Sequence, residues 1–257
     1  MHPVIIDILG VKIYSYGFFV ALSIYISYLF IKHQLKEYLN EEKIDKLLFK
    51  SLFTGFIGAK LVNVIEHPES YLSGKSLSLD YILSFFSSGF SFFGGFMGVS
   101  LYIFLYCKRE KKHCKKILET FSLAMLLGLS MGKFGCLSAG CCYGKFCSHE
   151  FAIIFTDPKS AAPLNIPLWP TQIIESVGYF VLFIISFILT KTTRINTIGF
   201  VMVSYSLFRF LVEFIRATTP VVFIFNNIPI TWIQVICIIL FLIGMYLILY
   251  KSKLHTD

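Results

Sequence analysis

Seven stretches of the chain run apolar for long enough, or nearly so, to cross a bilayer, with short polar segments between them. They lie near Tyr16–Ile31, Leu47–Ile65, Ile82–Tyr106, Ile117–Phe134, Thr171–Leu189, Thr197–Ile215 and Pro229–Tyr250. A hydrocarbon core about 30 Å thick takes about 20 apolar residues as one helix. The second and fourth stretches carry Lys60 and Lys133 inside or at their ends. The third is broken by SSGFSFFGGFMG, which reads as a re-entrant turn or a glycine-loosened helix. Irregular backbone at membrane depth survives only where protein or a polar cavity covers it, so a cavity is expected there. The pattern predicts an all-α polytopic membrane protein, with one transmembrane domain over residues 1–257.

Composition excludes a soluble domain. Charged residues are 15% of the chain, against about 25% in soluble proteins. The loops after the first, third, fifth and seventh stretches hold Lys32, Lys36, Lys43 and Lys46, then the run Lys108 to Lys116, then Lys191 and Arg194, then Lys251 and Lys253. The opposite loops hold only Lys12, Lys75, Lys145, Lys159 and Arg216. By the positive-inside rule the N-terminus faces outside, the C-terminus is cytoplasmic and residues 136–169 face outward. The net charge of +8 is largely this asymmetry. No basic domain exists to bind nucleic acid. The short, nearly uncharged start lacks a small-residue cleavage site, so a removable signal peptide is not expected.

The chemistry concentrates in residues 128–147, GLSMGKFGCLSAGCCYGKFC, which carry five glycines, two lysines and four cysteines. A lipid-facing helix has no use for that mixture. The thiols form a C-x4-C-C-x4-C pattern: Cys136, Cys141, Cys142 and Cys147. Three readings stay open for them: a disulfide in an outward loop, a nucleophilic or redox thiol activated by Lys133, or a metal site that recruits His149. Cys107, Cys114 and Cys237 read as membrane-end or buried thiols. Two further polar groups stand out. Gln172 and Glu175 lie three apart at the start of the fifth stretch, and Tyr205, Arg209, Glu213 and Arg216 follow at steps that place them on one helical face. Ionisable groups at membrane depth point to a functional cavity. On this reading Arg209 pairs with Glu213 and leaves Arg216 for an anion. Elsewhere, Gly55, Gly58 and Ala59 permit tight helix packing, and the neighbouring Lys60 either sits buried or snorkels to the interface. Tyr16 alone reads as an interface anchor.

GKFGCLSAGCCYGK resembles the signature loop of the bacterial prolipoprotein diacylglyceryl transferase family. PTQIIES is similar to that family's Pro-Ser-Gln-Leu-Tyr-Glu block, and YSLFRFLVEFIR resembles its last signature. SFFGGFMG is similar to its Ser-Phe-His-Gly-Gly segment, and Ser15-Tyr16-Gly17 to the Trp-Tyr-Gly that opens its first span. The matches fall in family order along nearly the whole chain. The resemblance implies transfer of the diacylglyceryl group of phosphatidylglycerol, or a related anionic phospholipid, to the acceptor cysteine of a prolipoprotein signal peptide. The reaction belongs at the outer side of the bacterial plasma (inner) membrane, with glycerol phosphate leaving. It implies Lys133, Arg209 and Arg216 as the headgroup clamp, with Tyr16 and Tyr205 orienting the ester or thiol. Glu213, Cys136 and Cys141 join the catalytic set. Gln172 and Glu175, with the close backbone approach of Gly94, Gly95, Gly140 and Gly144, join the substrate-binding set. No cofactor and no metal is expected.

The chain departs from the family at informative places. Phe93 stands where the family has a histidine before Gly-Gly, a candidate general base, and Trp169 replaces the histidine before the Pro-Ser-Gln block. Cys136 and Cys141 replace an asparagine and a glutamate, and Lys133 replaces a phosphate-facing arginine, losing its bidentate fork. The alternatives are a paralogue serving another acceptor, or a non-catalytic or redox lipid-binding membrane protein that uses the cysteine loop.

Overall fold

The computed structural model describes residues 3–8, 11–72, 89–193, 195–217, 221–225 and 228–253. Helices dominate: α1 (Ser15–Leu35), α2 (Glu41–Glu66), the short α3 (Pro68–Leu72), α4 (Phe92–Arg109), α5 (Cys114–Ala139), α6 (Thr171–Thr192), α7 (Thr197–Val212) and α8 (Trp232–Lys253). Among the described residues, three two-stranded antiparallel ribbons accompany them: β1 (Val4–Ile8) with β2 (Val11–Tyr14), β3 (Ile153–Ile154) with β4 (Pro167–Leu168), and β5 (Val221–Phe225) with β6 (Ile228–Thr231).

Among the described residues, α1, α2, α5, α6 and α8 are long and apolar enough to cross a membrane. They make this a polytopic membrane protein. Two of the seven expected spans correspond to shorter helices. α7 has 16 residues, about 24 Å at 1.5 Å per residue. α4 has 18 residues and begins at Phe92, and the expected stretch 82–88 lies outside the described residues. The last helix also starts later than its apolar run, at Trp232, because Pro229 belongs to the β5–β6 ribbon.

The chain divides into two compact units, Met1–Ile31 with Glu119–Asp257, and Lys32–Leu118. In the second unit α2 and α4 meet through glycine. A Cβ on Gly94 would lie 2.3 Å from the Gly58 carbonyl oxygen, and one on Gly98 would lie 2.3 Å from that of Thr54. Small residues thus let two backbones touch. Gly94 and Gly95 are accordingly helical residues at a helix–helix contact, and the SFFGG segment is the first turn of α4 rather than a re-entrant turn. Lys60 does not snorkel. It is 6% exposed, donates to Tyr71 Oη at 3.2 Å, and lies over the Tyr71 and Phe90 rings.

In the first unit the core gathers Leu123, Leu126 and Leu127 of α5, Tyr179 and Phe183 of α6, and Val201 of α7. The Phe208 ring of α7 covers Gly178, where a Cβ would meet it at 2.1 Å. The buried stripe of α6 is its polar one, with Thr171, Gln172, Glu175, Ser176, Tyr179 and Ser186 all inside. Its outward face, with Val177, Phe180, Ile184 and Ile188, is apolar and exposed. This inversion of the soluble pattern is what a lipid environment selects, since polar groups must find partners within the protein. Ser176 finds one on α5, donating to the Ser130 carbonyl at 2.9 Å.

Candidate functional site

Three segments of the first unit converge at one end of α5. The helix delivers Lys133 and Cys136 from its last turns. The chain then reverses at Gly140, whose φ of +75° and whose Cβ position, 1.9 Å from Ser160 Oγ, admit only glycine. Residues 141–147 run back across the start of α6 and the end of α7. Thr171 Oγ1 donates to the Cys142 carbonyl and Gln172 Nε2 to the Cys141 carbonyl, each at 2.8 Å. On the other side Gly144 bridges Arg216, and Lys145 N donates to the Ile215 carbonyl at 2.8 Å. A Cβ on Gly144 would fall 2.4 Å from Trp169 Cβ, so this glycine is what lets the loop close on Trp169. A small core of Phe155, Ala162 and Leu168 keeps the following loop ordered.

Inside this frame lies a buried charge network. Glu175 is fully enclosed. Its Oε1 accepts from Arg216 Nη1 at 2.7 Å, and its Oε2 takes an ion pair from Lys133 and a hydrogen bond from Tyr179 Oη at 3.1 Å. Glu213 is 3% exposed and sits 2.5 Å from Arg209 Nη1 and 3.7 Å from Arg216 Nε. Three cations therefore surround two carboxylates. The Gln172 Oε1 and Glu213 Oε1 atoms are buried without a hydrogen-bond partner among the described residues. Breaking such a pair by removing one member costs about 3–5 kcal/mol, so each member holds the others in place.

Two expectations change here. α7 ends at Val212, and Glu213–Ile215 form a 3-10 turn that leaves Arg216 extended at ψ 147°. Arg216 thus lies beyond the helix rather than on its face, and it is not left over by the Arg209–Glu213 pair but joins Glu175 to Glu213. Tyr205 lies one turn before Arg209, its ring stacked on Tyr179 at 5.6 Å. Tyr179 is the group the sequence reading missed. The signal was available, since Gln172, Glu175 and Tyr179 continue one helical face at steps of three and four.

The thiols gather beside this network. The Sγ atoms of Cys136, Cys141 and Cys142 all lie within 4.8 Å of one another, and every cysteine is a free thiol, so the structure does not form the disulfide considered above. Cys147 is buried and outside the cluster, its N–H donating to the Pro167 carbonyl. His149 stacks on Phe151 at 5.1 Å instead of joining the thiols. Cys142 holds a φ of +60°, a left-handed conformation costing a non-glycine residue roughly 1–2 kcal/mol. The Cys136 and Cys141 thiols hydrogen-bonded to it hold its own thiol well below the usual range, and the charges of Lys133 and Arg216 act in the same direction. Tyr16, at the start of α1, is half-exposed and comes close because Gly135 has no side chain, its Cβ position lying 3.3 Å from the Tyr16 carbonyl oxygen. With Ala139 and Lys159 it lines a half-open cavity of about 410 Å³. Lys133, Glu175, Arg209, Glu213 and Arg216 thus form one network. Gln172, Gly140 and Gly144 shape the loop beside it, and Gly94 and Gly95 belong to the α2–α4 contact of the other unit.

The family model described as prolipoprotein diacylglyceryl transferase matches residues 3–250 of the chain. The chain belongs to this family. Among its relatives, the phosphatidylglycerol–prolipoprotein diacylglyceryl transferase 2 of Clostridium perfringens is 33% identical over 219 residues, 84% of each chain. The phosphatidylglycerol–prolipoprotein diacylglyceryl transferase of Clostridium tetani is 32% identical over 228 residues, covering 84% of this chain and 86% of its own. A Dehalococcoides mccartyi enzyme of the same name is 25% identical over 257 residues, 98% of this chain and 95% of its own. The transferase family thus spans both the charge network and the thiol loop.

Proposed function

We propose that this transferase moves the diacylglyceryl group of phosphatidylglycerol to the cysteine thiol of a prolipoprotein, the step that lipidates bacterial lipoproteins. Residues 1–257 work as one domain of seven spans in the plasma membrane, N-terminus outside, and the site opens on the outer face. The observation that carries this reading is the convergence of Lys133, Arg209 and Arg216, three cations, on two buried carboxylates. Such a site draws an anionic headgroup and holds it without ordering new charges at the moment of reaction.

The roles follow from position. Lys133, Arg209 and Arg216 hold the phosphate and take up the charge that develops on it as the carbon–oxygen bond breaks. Glu175 and Glu213 keep the three cations apart and oriented, and Tyr179 fixes Glu175. Tyr205, ordered by its stack on Tyr179, and Tyr16, at the cavity, orient the ester and the incoming thiol. Lysine at 133 supplies a point charge in place of a guanidinium fork, so Arg216 carries the directional contact.

The test is headgroup dependence. The purified chain is given vesicles of phosphatidylglycerol or of phosphatidylethanolamine together with acceptor peptide. A peptide that gains a diacylglyceryl group from the first alone supports the reading; equal gain from both, or none, counts against it.

A further inference from the structure

The transferase reaction needs an acceptor thiol in its reactive, deprotonated form. In this chain Phe93 holds the position where the family resemblance placed a histidine. The three-thiol cluster offers a different way to meet that need. It is a triangle of sulfur atoms with no side larger than 4.8 Å. Zn–S bonds of about 2.3 Å put two thiolates of a tetrahedral zinc ion about 3.8 Å apart, so the triangle closes on an ion with side-chain shifts of at most about 1 Å. Pairwise oxidation cannot satisfy three thiols, since one is always left over. Soft sulfur donors select soft ions, Zn(II) among those commonly available.

The backbone around the cluster is also fixed in the manner of a built site. Cys141 N donates to the Cys136 carbonyl at 3.1 Å, closing the loop that brings the first thiol to the second. The carbonyls of Cys141 and Cys142 are tied to the buried side chains of Gln172 and Thr171. Cys142 is kept in a left-handed conformation that a cysteine adopts only when its surroundings impose it. These contacts act on the ligand residues as outer-shell partners act in metal sites, fixing where the sulfur atoms point.

We propose that Cys136, Cys141 and Cys142 bind one Zn(II) ion through their thiolates and that the fourth position of the ion receives the acceptor thiol. Three protein ligands with one open position are the arrangement of catalytic rather than structural zinc. The role of the fourth position rests on the transferase reading; the metal site does not. The acceptor thiol gives its proton to bulk water as its sulfur binds zinc, because a coordinating thiol is deprotonated outright. The sulfur lone pair then forms a bond to the glyceryl carbon, the bond from that carbon to the phosphate oxygen breaks, and its electron pair leaves on glycerol phosphate. Zinc is neither oxidised nor reduced. Lys133 precedes Cys136 by three residues on α5, and Arg216 bridges Gly144, two residues after Cys142, which places the headgroup clamp beside the zinc-bound thiol.

The experiment is metal analysis of the full chain, purified in detergent under reducing conditions and equilibrated with zinc. One zinc per chain is expected, with affinity falling at least about 10-fold in each of Cys136→Ser, Cys141→Ser and Cys142→Ser and unchanged in Cys107→Ser. Because a serine variant can fail to fold, the unmutated chain is also stripped with a chelator and reloaded with Co(II). A thiolate-to-cobalt absorption band is expected, and a peptide carrying the acceptor cysteine, but not its serine counterpart, shifts it. A chain that takes up no zinc, or zinc that survives all three substitutions, overturns the site. A cobalt band that ignores the cysteine peptide overturns its role in thiol activation. A chain that binds zinc as expected but transfers no lipid counts against the transferase reading and leaves the metal site standing.

Discussion

Arg216 reaches across 41 residues of sequence to donate to Glu175 Oε1 at 2.7 Å, within a contact whose side chains are 8% and 0% exposed. It ties the segment after α7 to the first turns of α6, and Lys133 ties the same carboxylate to α5. Glu175→Gln removes the charge but keeps the shape, leaving two buried cations facing each other. The expected cost is about 3–5 kcal/mol of stability, read as a lowered unfolding midpoint in detergent. The double variant Glu175→Gln/Arg216→Gln is expected to recover about 1–3 kcal/mol relative to the sum of the singles. Strict additivity would mean that the pair is not coupled.

Arg209 pairs with Glu213 through Nη1 at 2.5 Å, which aims its guanidinium into the buried network. Arg209→Gln is therefore expected to lower phosphatidylglycerol turnover by roughly 100-fold or more, the scale for losing one preorganised donor at a developing anion. The protein should remain in the membrane but be less stable, because Glu213 then keeps Arg216 alone of these two arginines, so turnover is compared per folded protein. Turnover unchanged by this substitution removes Arg209 from the clamp.

The glycines of the α5–loop region have opposite sensitivities. Gly144→Ala places a Cβ 2.7 Å from the Trp169 carbonyl oxygen and 3.0 Å from that of Ile215, backbone atoms that cannot swing away. It should cost about 1–3 kcal/mol, as overpacking does, and pull Arg216 out of register. Gly132→Ala meets nothing within 4 Å and should be neutral or stabilise the helix by about 0.5–1 kcal/mol. Thermal unfolding of the two variants side by side checks the loop geometry, and equal effects would contradict it.

Gly94→Ala tests the helix contact of the other unit. Its Cβ would fall 2.3 Å from the Gly58 carbonyl oxygen and 2.6 Å from Val62 Cβ, so α2 and α4 must separate. The expected outcome is a stability loss of about 1–3 kcal/mol that persists without any lipid substrate. A variant of normal stability that binds lipid poorly would instead assign this glycine to the substrate.

The helices were legible because apolar runs and membrane thickness constrain each other. Their ends were not. The charged loop before Leu47 is already the first turns of α2, begun by the Asn40 cap, and the apolar run around Pro229 is a ribbon before it is a helix. Within the site, the pairs on one helix could be read from spacing: Gln172 with Glu175, and Arg209 with Glu213. The partners of Lys133 and Arg216 could not, because both meet Glu175 across helices, where sequence separation carries no geometric information. A regular helix through residue 216 predicted a free arginine; the 3-10 turn at Glu213–Ile215 turns it into the link between two carboxylates. The cysteine pattern was visible, but which three thiols meet was decided by the turn at Gly140.

The lipid transfer itself can be read on the acceptor in a single assay. The purified full chain, with its thiols reduced and zinc supplied, is incubated with phosphatidylglycerol and a signal peptide carrying the acceptor cysteine, and the peptide is read by mass spectrometry. The expected product is a peptide heavier by one diacylglyceryl group in thioether linkage, with an equal amount of glycerol phosphate released. An unmodified peptide, from protein shown to be folded and to bind phosphatidylglycerol, would contradict it.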